Sequence, residues 1–416
     1  MRPPFPLLLP VLALVSCPGS RPGTGPDAGP GGTPEVVPAL RPVLTPGSIA
    51  FVHAAVLEPS SGVLERDRTV LVSGDRIAAV VPDGALAVPA GARTVDVAGR
   101  TLLPGLVDSH VHARSADLTR YVDEGITTVR NLWGFAGLIE GAAALVREGK
   151  VAPAIESASP GVDGPGSPWP GTQLITDPAE AEALVARLSG EGWRWMKVYS
   201  HLDARVFDAL ADAADAHGVR FLGHVPFSVP LQHALDRRML SIEHLTGYEL
   251  ALGGEGPTPT ERWASMELSD MPRIARATAE AGTWNCPTLT VVKVLNRSAP
   301  MASEAFARRR LLVGALHAAG ARLLAGTDSG IDATEPGMSL HDELDELVAS
   351  GLTPLDALRA ATTWPAEFLG RVGEIGTAAP GARADLVLVE GDPRQDVSVL
   401  RHPSGVLLRG AWLERP

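Results

Sequence analysis

Two hydrophobic rhythms divide this chain. From residue 48 to about 100, apolar and polar positions alternate with the period of two that half-buried strands require. The segments are IAFVHAAVL, then TVLVSGDRIAAVV with its Gly-Asp turn, then RTVDVAGRTLL. Beyond 102 the pattern becomes a short apolar run followed by a helical stretch, many times over. The runs predict strands at 103–110, 126–131, 153–159, 194–199, 219–224, 240–245, 284–291 and 322–327. Between them apolar residues recur at helical spacing, as from Ala204 to His217, where Val206, Phe207, Leu210, Ala213 and Ala214 share a face. Eight strand–helix units predict an α/β fold, a (β/α)8 TIM barrel over 102–371, rather than an open sheet. The barrel's third unit carries a long loop, 160–170, of the kind that lines active sites. Strand-like sequence returns at the end, in ADLVLVE and GVLLRGAWL. A composite β-sandwich of 48–101 and 372–416 accounts for both ends, each pairing backbone groups that the other leaves open.

Composition narrows the class. Of 416 residues, 45% are apolar and 20% charged, enough for a large core and more than one domain. The net charge of −12, with no Lys/Arg run longer than Arg308-Arg309-Arg310, argues against nucleic acid as a partner and leaves a small molecule as the expected one. A homo-oligomer is compatible with this reading. At the N-terminus Arg2 precedes an apolar stretch, Phe5 to Val15, too short to span a bilayer as a helix. It ends in Leu14-Val15-Ser16-Cys17, which resembles the lipobox of bacterial lipoproteins, where the cysteine is freed by cleavage and acylated. Residues 1–17 thus read as an export signal with Cys17 the lipidation site, and the Pro/Gly-rich 18–47 as a tether. The expected protein is an exported cell-envelope lipoprotein, held at the membrane by its lipid alone. Pro6 and Pro10, and the single basic residue, favour the alternative of a disordered leader. Cys286, the other cysteine, has no partner for a disulfide and is expected to open the seventh barrel strand as a small buried residue.

The chemistry lies at strand ends. VDSHVH (His110, His112), WMKVYS (Lys197), FLGHV (His224), SIEHL (His244) and LLAGTDSG (Asp328) each close an apolar run, the end at which a parallel barrel keeps its reactive groups. His110 and His112, two apart, point to one side and can grip one cation. If Lys197 points inward, so do Trp195 and Tyr199, while Met196 and Val198 face the helices. Asp328 shares its side with Gly326 and Leu324. Imidazole and carboxylate suit zinc and similar metals. Lysine is the odd member, since an ammonium of pKa about 10.4 repels cations.

This set resembles the amidohydrolase superfamily, in the subtype with HxH on the first barrel strand, Lys on the fourth, His on the fifth and sixth, and Asp on the eighth. The approach GRTLLPGLVDSHVH, the segment GLTPLDALRAATTWPAEFLG and the closing GEIGTAAPGARADLVLVEGDP match as well, so the resemblance covers roughly 48 to 413. It implies two divalent metal ions, zinc foremost. His110, His112 and Asp328 would hold the more buried ion, His224 and His244 the more exposed one. Lys197, carboxylated by CO2, would bridge them as a carbamate. It further implies a hydrolase in which a metal-bridging hydroxide attacks a carbonyl and Asp328 carries the proton to the departing amine. Prolidase-like dipeptidases, N-acyl amino acid hydrolases and openers of cyclic amides share this subtype, so a C–N bond is the expected target. Ester or lactone hydrolysis, deamination, and a non-catalytic binding lipoprotein are the alternatives. The strand-four lysine counts against deamination, and the full ligand set counts against lost catalysis.

Around the metals, Tyr199, Tyr248, Trp133 and Trp169 read as pocket walls or as ordinary packing, and His201 as a substrate contact or a support. Arg130, ending the second strand, is a candidate reader of a substrate carboxylate. Asn131 stands where the family often has Asp. His217 and His317, at helix C-termini, read as structural. So do His53, His233, His402, and His341 in SLHDELDELV.

Overall fold

The computed structural model describes residues 41–43, 47–134, 136–331 and 333–415. The segment 1–17 read as an export signal, with Cys17, lies outside them, as does most of 18–47. Both ends of the chain build one nine-stranded sheet. Ile49–Glu58, Val63–Ser73 and Arg76–Pro82 form an antiparallel meander, and Arg93–Asp96 runs parallel to the first of these. Thr101–Pro104 joins the meander to Leu386–Val389, followed by Gly405–Leu408 and Ala411–Glu414. Arg41–Val43, inside the stretch read as a tether, pairs with Ala411–Glu414 at the sheet's edge.

Period-two alternation decides what each face covers. Leu386 and Leu388 pack with Phe51, Ile77 and Trp412 in the sheet's own core, whereas Val387 and Val389 belong to the larger core of the second unit. This strand is buried on both faces, which is why LVLV is unbroken by a polar residue. Thr101–Pro104 corrects the expected first barrel strand: Leu103 lies in the composite sheet, and the parallel strand starts at Leu106. Gly105 marks the passage, because a Cβ there would sit 2.2 Å from Thr127 Oγ1.

The second unit alternates parallel strands and helices, but the expected single closed sheet is found as two arcs. One holds Leu106–Val111, Ile126–Asn131 and Ala154–Ser157. The other holds, in spatial order, Gln173–Leu174, Val162–Asp163, Trp195–Val198, Arg220–Gly223, Ser241–Glu243 and Trp284–Cys286. The 160–170 loop therefore contains a short strand. Hydrogen bonds cross the gaps: Ser159 N–H to Trp195 O (2.9 Å) on one side; on the other, Asn285 N–H to Arg322 O (2.9 Å) and Leu324 N–H to Asn285 O (2.9 Å), then Ser109 N–H to Ala325 O (2.9 Å) and Asp328 N–H to His110 O (2.7 Å). The expected eighth strand, 322–327, makes only an isolated bridge at Leu323. Gly326 explains part of this, packed so tightly that a Cβ would meet Cys286 Sγ at 2.5 Å. The expected seventh strand stops at Cys286, since Pro287 has no N–H to donate and Thr288 is left-handed (φ 47°) before the helix Leu289–Asn296. Cys286 thus ends that strand rather than opening it.

The side-chain directions on the lysine strand follow the period of two. Met196 and Val198 belong to the core that also holds Val206, Phe207 and Leu210 of the following helix, while Trp195 belongs to a separate cluster with Val107, Leu132, Leu222 and Leu369. The helix Ala204–His217 begins at an Asp203 N-cap and ends at left-handed Gly218. His217 is its last residue, 2.6 Å from Glu182, and His341 is buried 3.6 Å from Glu124.

Trp412 is 1% exposed and meets Phe51 edge-on at 4.9 Å. Trp412→Ala should cost about 3–5 kcal/mol and lower the thermal unfolding midpoint. An unchanged midpoint would show that the C-terminal strands add nothing to the folded unit.

Candidate metal centre

His110 is wholly buried on its strand, with Nε2 3.2 Å from Asp328 Oδ1; His112 Nε2 lies 3.0 Å from the same oxygen. His244 Nε2 is 4.0 Å from Asp328 Oδ2, and its ring centre is 4.7 Å from that of His110. His224 stands beside His244 at 5.0 Å and beside Tyr199 at 4.6 Å. Lys197 Nζ lies 5.1 Å from the Tyr199 ring centre, buried and, among the described residues, without a hydrogen-bond partner. All six residues singled out at strand ends therefore converge on one region. His244 directly follows the strand residue Glu243 and, were the strand to continue, would face the opposite side. His244 (φ 59°) and Leu245 (φ 56°) are left-handed, which turns the imidazole back toward the centre; Asp328 (φ 56°) is left-handed too. Such backbone costs about 1–3 kcal/mol per residue and persists only where surrounding packing enforces it.

The imidazoles are pre-oriented. Nδ1 of His110 meets Glu243 Oε2 (2.7 Å), that of His224 meets Ser200 Oγ (2.8 Å), and that of His244 meets Thr288 Oγ1 (2.7 Å). In each ring Nε2 is the nitrogen left to the site, the arrangement by which metal-ligating histidines are held. Burial lowers the pKa of His112, takes His224 well below the usual value and brings His244 to about 3, so these rings are neutral and offer a lone pair. Burial brings Lys197 down to about 8. Burial would raise Asp328, yet His110 and then His244 hold its carboxyl well below the carboxylate range. His110 Nε2 and Asp328 Oδ1 are close but not aligned as a hydrogen bond, and both are buried without a partner. Nε2 or Nδ1 of His110 and His244 and an Asp328 oxygen all fall within 4.8 Å of one another. Buried nitrogen and oxygen atoms that converge in this way fit a cation, and the N/O donor set suits a divalent metal ion.

Beneath His110 lies a residue that strand-end reasoning passed over. Glu243 is fully buried and accepts from Arg130 Nη2 at both oxygens (3.0 and 3.0 Å) and from Ser241 Oγ (2.5 Å). Burial opposes its charge, but Arg130 and His110 hold its pKa well below normal. Arg130, 1% exposed and 4.6 Å from the Phe368 ring, is thereby corrected: the carboxylate it reads is internal, not a substrate's. Asp108 was also missed. It accepts from Thr327 Oγ1 (2.7 Å), Thr327 N–H (3.1 Å) and His110 N–H (3.2 Å), and burial pushes its pKa up to about 7. A charged residue inside each apolar run, at SIEHL and VDSHVH, was the available signal. Asn131 uses its amide to fix the loops, accepting from Ala113 N–H (3.0 Å) and donating to Trp133 O (2.7 Å).

The walls divide. Tyr199 packs with Trp133 (5.4 Å) and Trp169 (6.3 Å), and Trp133 lies 6.3 Å from His112, forming an aromatic side to the centre. Gly161 makes room for it, since a Cβ would come 2.8 Å from Tyr199. His201 donates its N–H to buried Asp163 (2.6 Å), holds Nδ1 3.3 Å from the same carboxylate, and stands edge-on to Phe227. Tyr248 does not belong to this wall. It is fully buried, with its hydroxyl on Asn285 Oδ1 (2.8 Å) and Thr278 Oγ1 (3.0 Å), and is a packing residue. Cys286 is buried close to His110 and Glu243, where burial raises its thiol pKa well above normal.

A profile described as the amidohydrolase family matches residues 198–413, which include His224, His244 and Asp328 but not His110, His112 or Lys197. An uncharacterized protein of Mycobacterium tuberculosis is 30% identical over 254 residues, 57% of this chain and 62% of the relative. Adenine deaminase of Deinococcus radiodurans is 31% identical over 340 residues, 77% of this chain and 55% of the relative. The chain thus spans less than two thirds of the length of these curated relatives. Among solved structures, bottromycin amidohydrolase superposes with a TM-score of 0.71 at 28% identity, covering 88% of this chain and 87% of its own. A Xaa-Pro dipeptidase with methionine in its active site gives 0.72 at 19% identity, covering 88% and 100%, a likeness of fold alone.

Glu243→Gln should leave Arg130 buried without a counter-charge, at a cost of about 3–5 kcal/mol. It should also weaken metal binding by about 10–100-fold through His110. Thermal unfolding and metal titration read the two effects; wild-type metal affinity in the variant would deny Glu243 its supporting role.

Proposed function

This chain belongs to the amidohydrolase family, and from that premise we propose that it is a metal-dependent hydrolase of a C–N bond, in a dipeptide, an N-acyl amino acid or a cyclic amide. One observation carries the reading: Nε2 of His110, His112 and His244 gather around the Asp328 carboxylate, with the partnerless amine of Lys197 buried alongside. His110, His112 and Asp328 would hold one divalent cation and His224 with His244 a second, zinc suiting both sets. Lys197, its amine lowered to about 8, would add CO2 with loss of a proton and so supply carbamate oxygens as further ligands. Bound there, the cations would supply a water of lowered pKa and polarise a carbonyl oxygen.

The remaining work falls to side chains. Asp328, kept ionised by its imidazole neighbours and 8% exposed, can accept a proton from the attacking water at a carboxylate oxygen. It then returns that proton to the leaving nitrogen, which cannot depart as an amide anion. Tyr199, Trp133 and Trp169 offer an apolar side that excludes water and orients the substrate. His201, steadied by Asp163, is a candidate substrate contact at their margin. Deamination of a nucleobase is the second reading, favoured by the sequence likeness to adenine deaminase.

Zinc-loaded protein assayed against dipeptides, N-acyl amino acids and adenine separates the two: amine release from the first groups is expected, and ammonia from adenine alone would install the second reading. Asp328→Asn should lower kcat by about 10²–10⁴-fold, more than it lowers metal content; full turnover would remove the proton-carrying role. Lys197→Ala should lose metal and activity, with partial recovery in short-chain carboxylic acids. A variant still holding two metals without added acid would count against the bridge.

A further inference from the structure

A second cavity, of about 220 Å³, lies behind His244 on the outer side of the helix Leu289–Asn296. Three cationic side chains line it, Lys293, Arg297 and Arg309, with no acidic one, over an apolar floor of Val292, Ala305 and Phe306. Arg309 is 8% exposed, lies 4.0 Å from the Trp263 ring centre, and donates from Nη1 to the His244 carbonyl (3.0 Å). Lys293 is shared with Glu346 (2.8 Å). Arg297 donates to the Val294 carbonyl (3.1 Å) and, among the described residues, faces no carboxylate. Arg309 is balanced by buried Glu249 as Lys293 is by Glu346, so Arg297 is the cation left open, and over a hydrocarbon floor it makes an anion site with room for an apolar body. A cavity of about 150 Å³ accepts a benzene ring, so this one has space for a ring and a carboxylate.

We propose that this cavity is a second binding site, separate from the metal centre, for a small carboxylate carrying an apolar or aromatic body. The carboxylate meets Arg297, and the body lies on Phe306. None of the lining residues is among the proposed metal ligands, so occupancy does not depend on the hydrolase reading.

Phenylacetate titrated into the full chain, zinc-loaded and after chelation, tests this by calorimetry. Saturable binding of one equivalent is expected in both forms, with benzyl alcohol weaker. Arg297→Glu and Ala302→Trp, which reverse a charge and fill the space, should each weaken binding at least about tenfold without moving the thermal midpoint. Binding that vanishes on chelation belongs to the metal centre and overturns the proposal. So does affinity that survives both substitutions, or no binding to either form.

Discussion

Everything at the centre stands on one buried ion pair. Arg130 and Glu243 are both withdrawn from water, and an isolated charge there would be prohibitive. They persist because each satisfies the other and because both are hydrogen-bonded further: Ser241 and His110 donate to the carboxylate, while Ser109 O and Ser241 Oγ accept from the guanidinium. The outcome is directional. With Nδ1 of His110 tied to Glu243, the ring can present only Nε2 to Asp328, His112 and His244. A pair that adds little net stability thereby sets the geometry of the whole centre.

Backbone strain completes what the ion pair starts. Four of the ten left-handed residues other than glycine among the described residues stand at the centre: His244, Leu245, Thr288 and Asp328. Each leaves the strand conformation at the point where its side chain must turn toward its neighbours. Asp108 secures the Asp328 segment from below by binding Thr327 twice, so the strained turn is fastened on both sides of the junction between the arcs. The composite sheet holds the assembly from outside, because Leu386–Val389 contributes alternate residues to two cores.

Much of the architecture was legible from periodicity. The switch from alternation to strand-plus-helix separated the composite sheet from the parallel unit, and parity on WRWMKVYS assigned the inward and outward side chains of the lysine strand. Strand ends were less legible. Leu103 continues an apolar run but belongs to another sheet, and 322–327 reads as a strand while forming, among the described residues, one isolated bridge. Apolar runs report burial, not which neighbour supplies the hydrogen bonds. Arg130 was misplaced for a related reason: a charged residue at a strand end looks available until the groups that occupy it are seen, whereas Tyr248 takes the packing role left open for it.

The sequence by itself determined the kinds of donor, their order, and the end of the strands on which they sit, because side-chain chemistry and strand parity are local properties. Which groups face one another was decided by tertiary structure. His110 and Glu243 are 133 positions apart, and Asp108 and Thr327 are 219 apart. No local period couples such positions; only the packing of the arcs brings them within hydrogen-bonding distance.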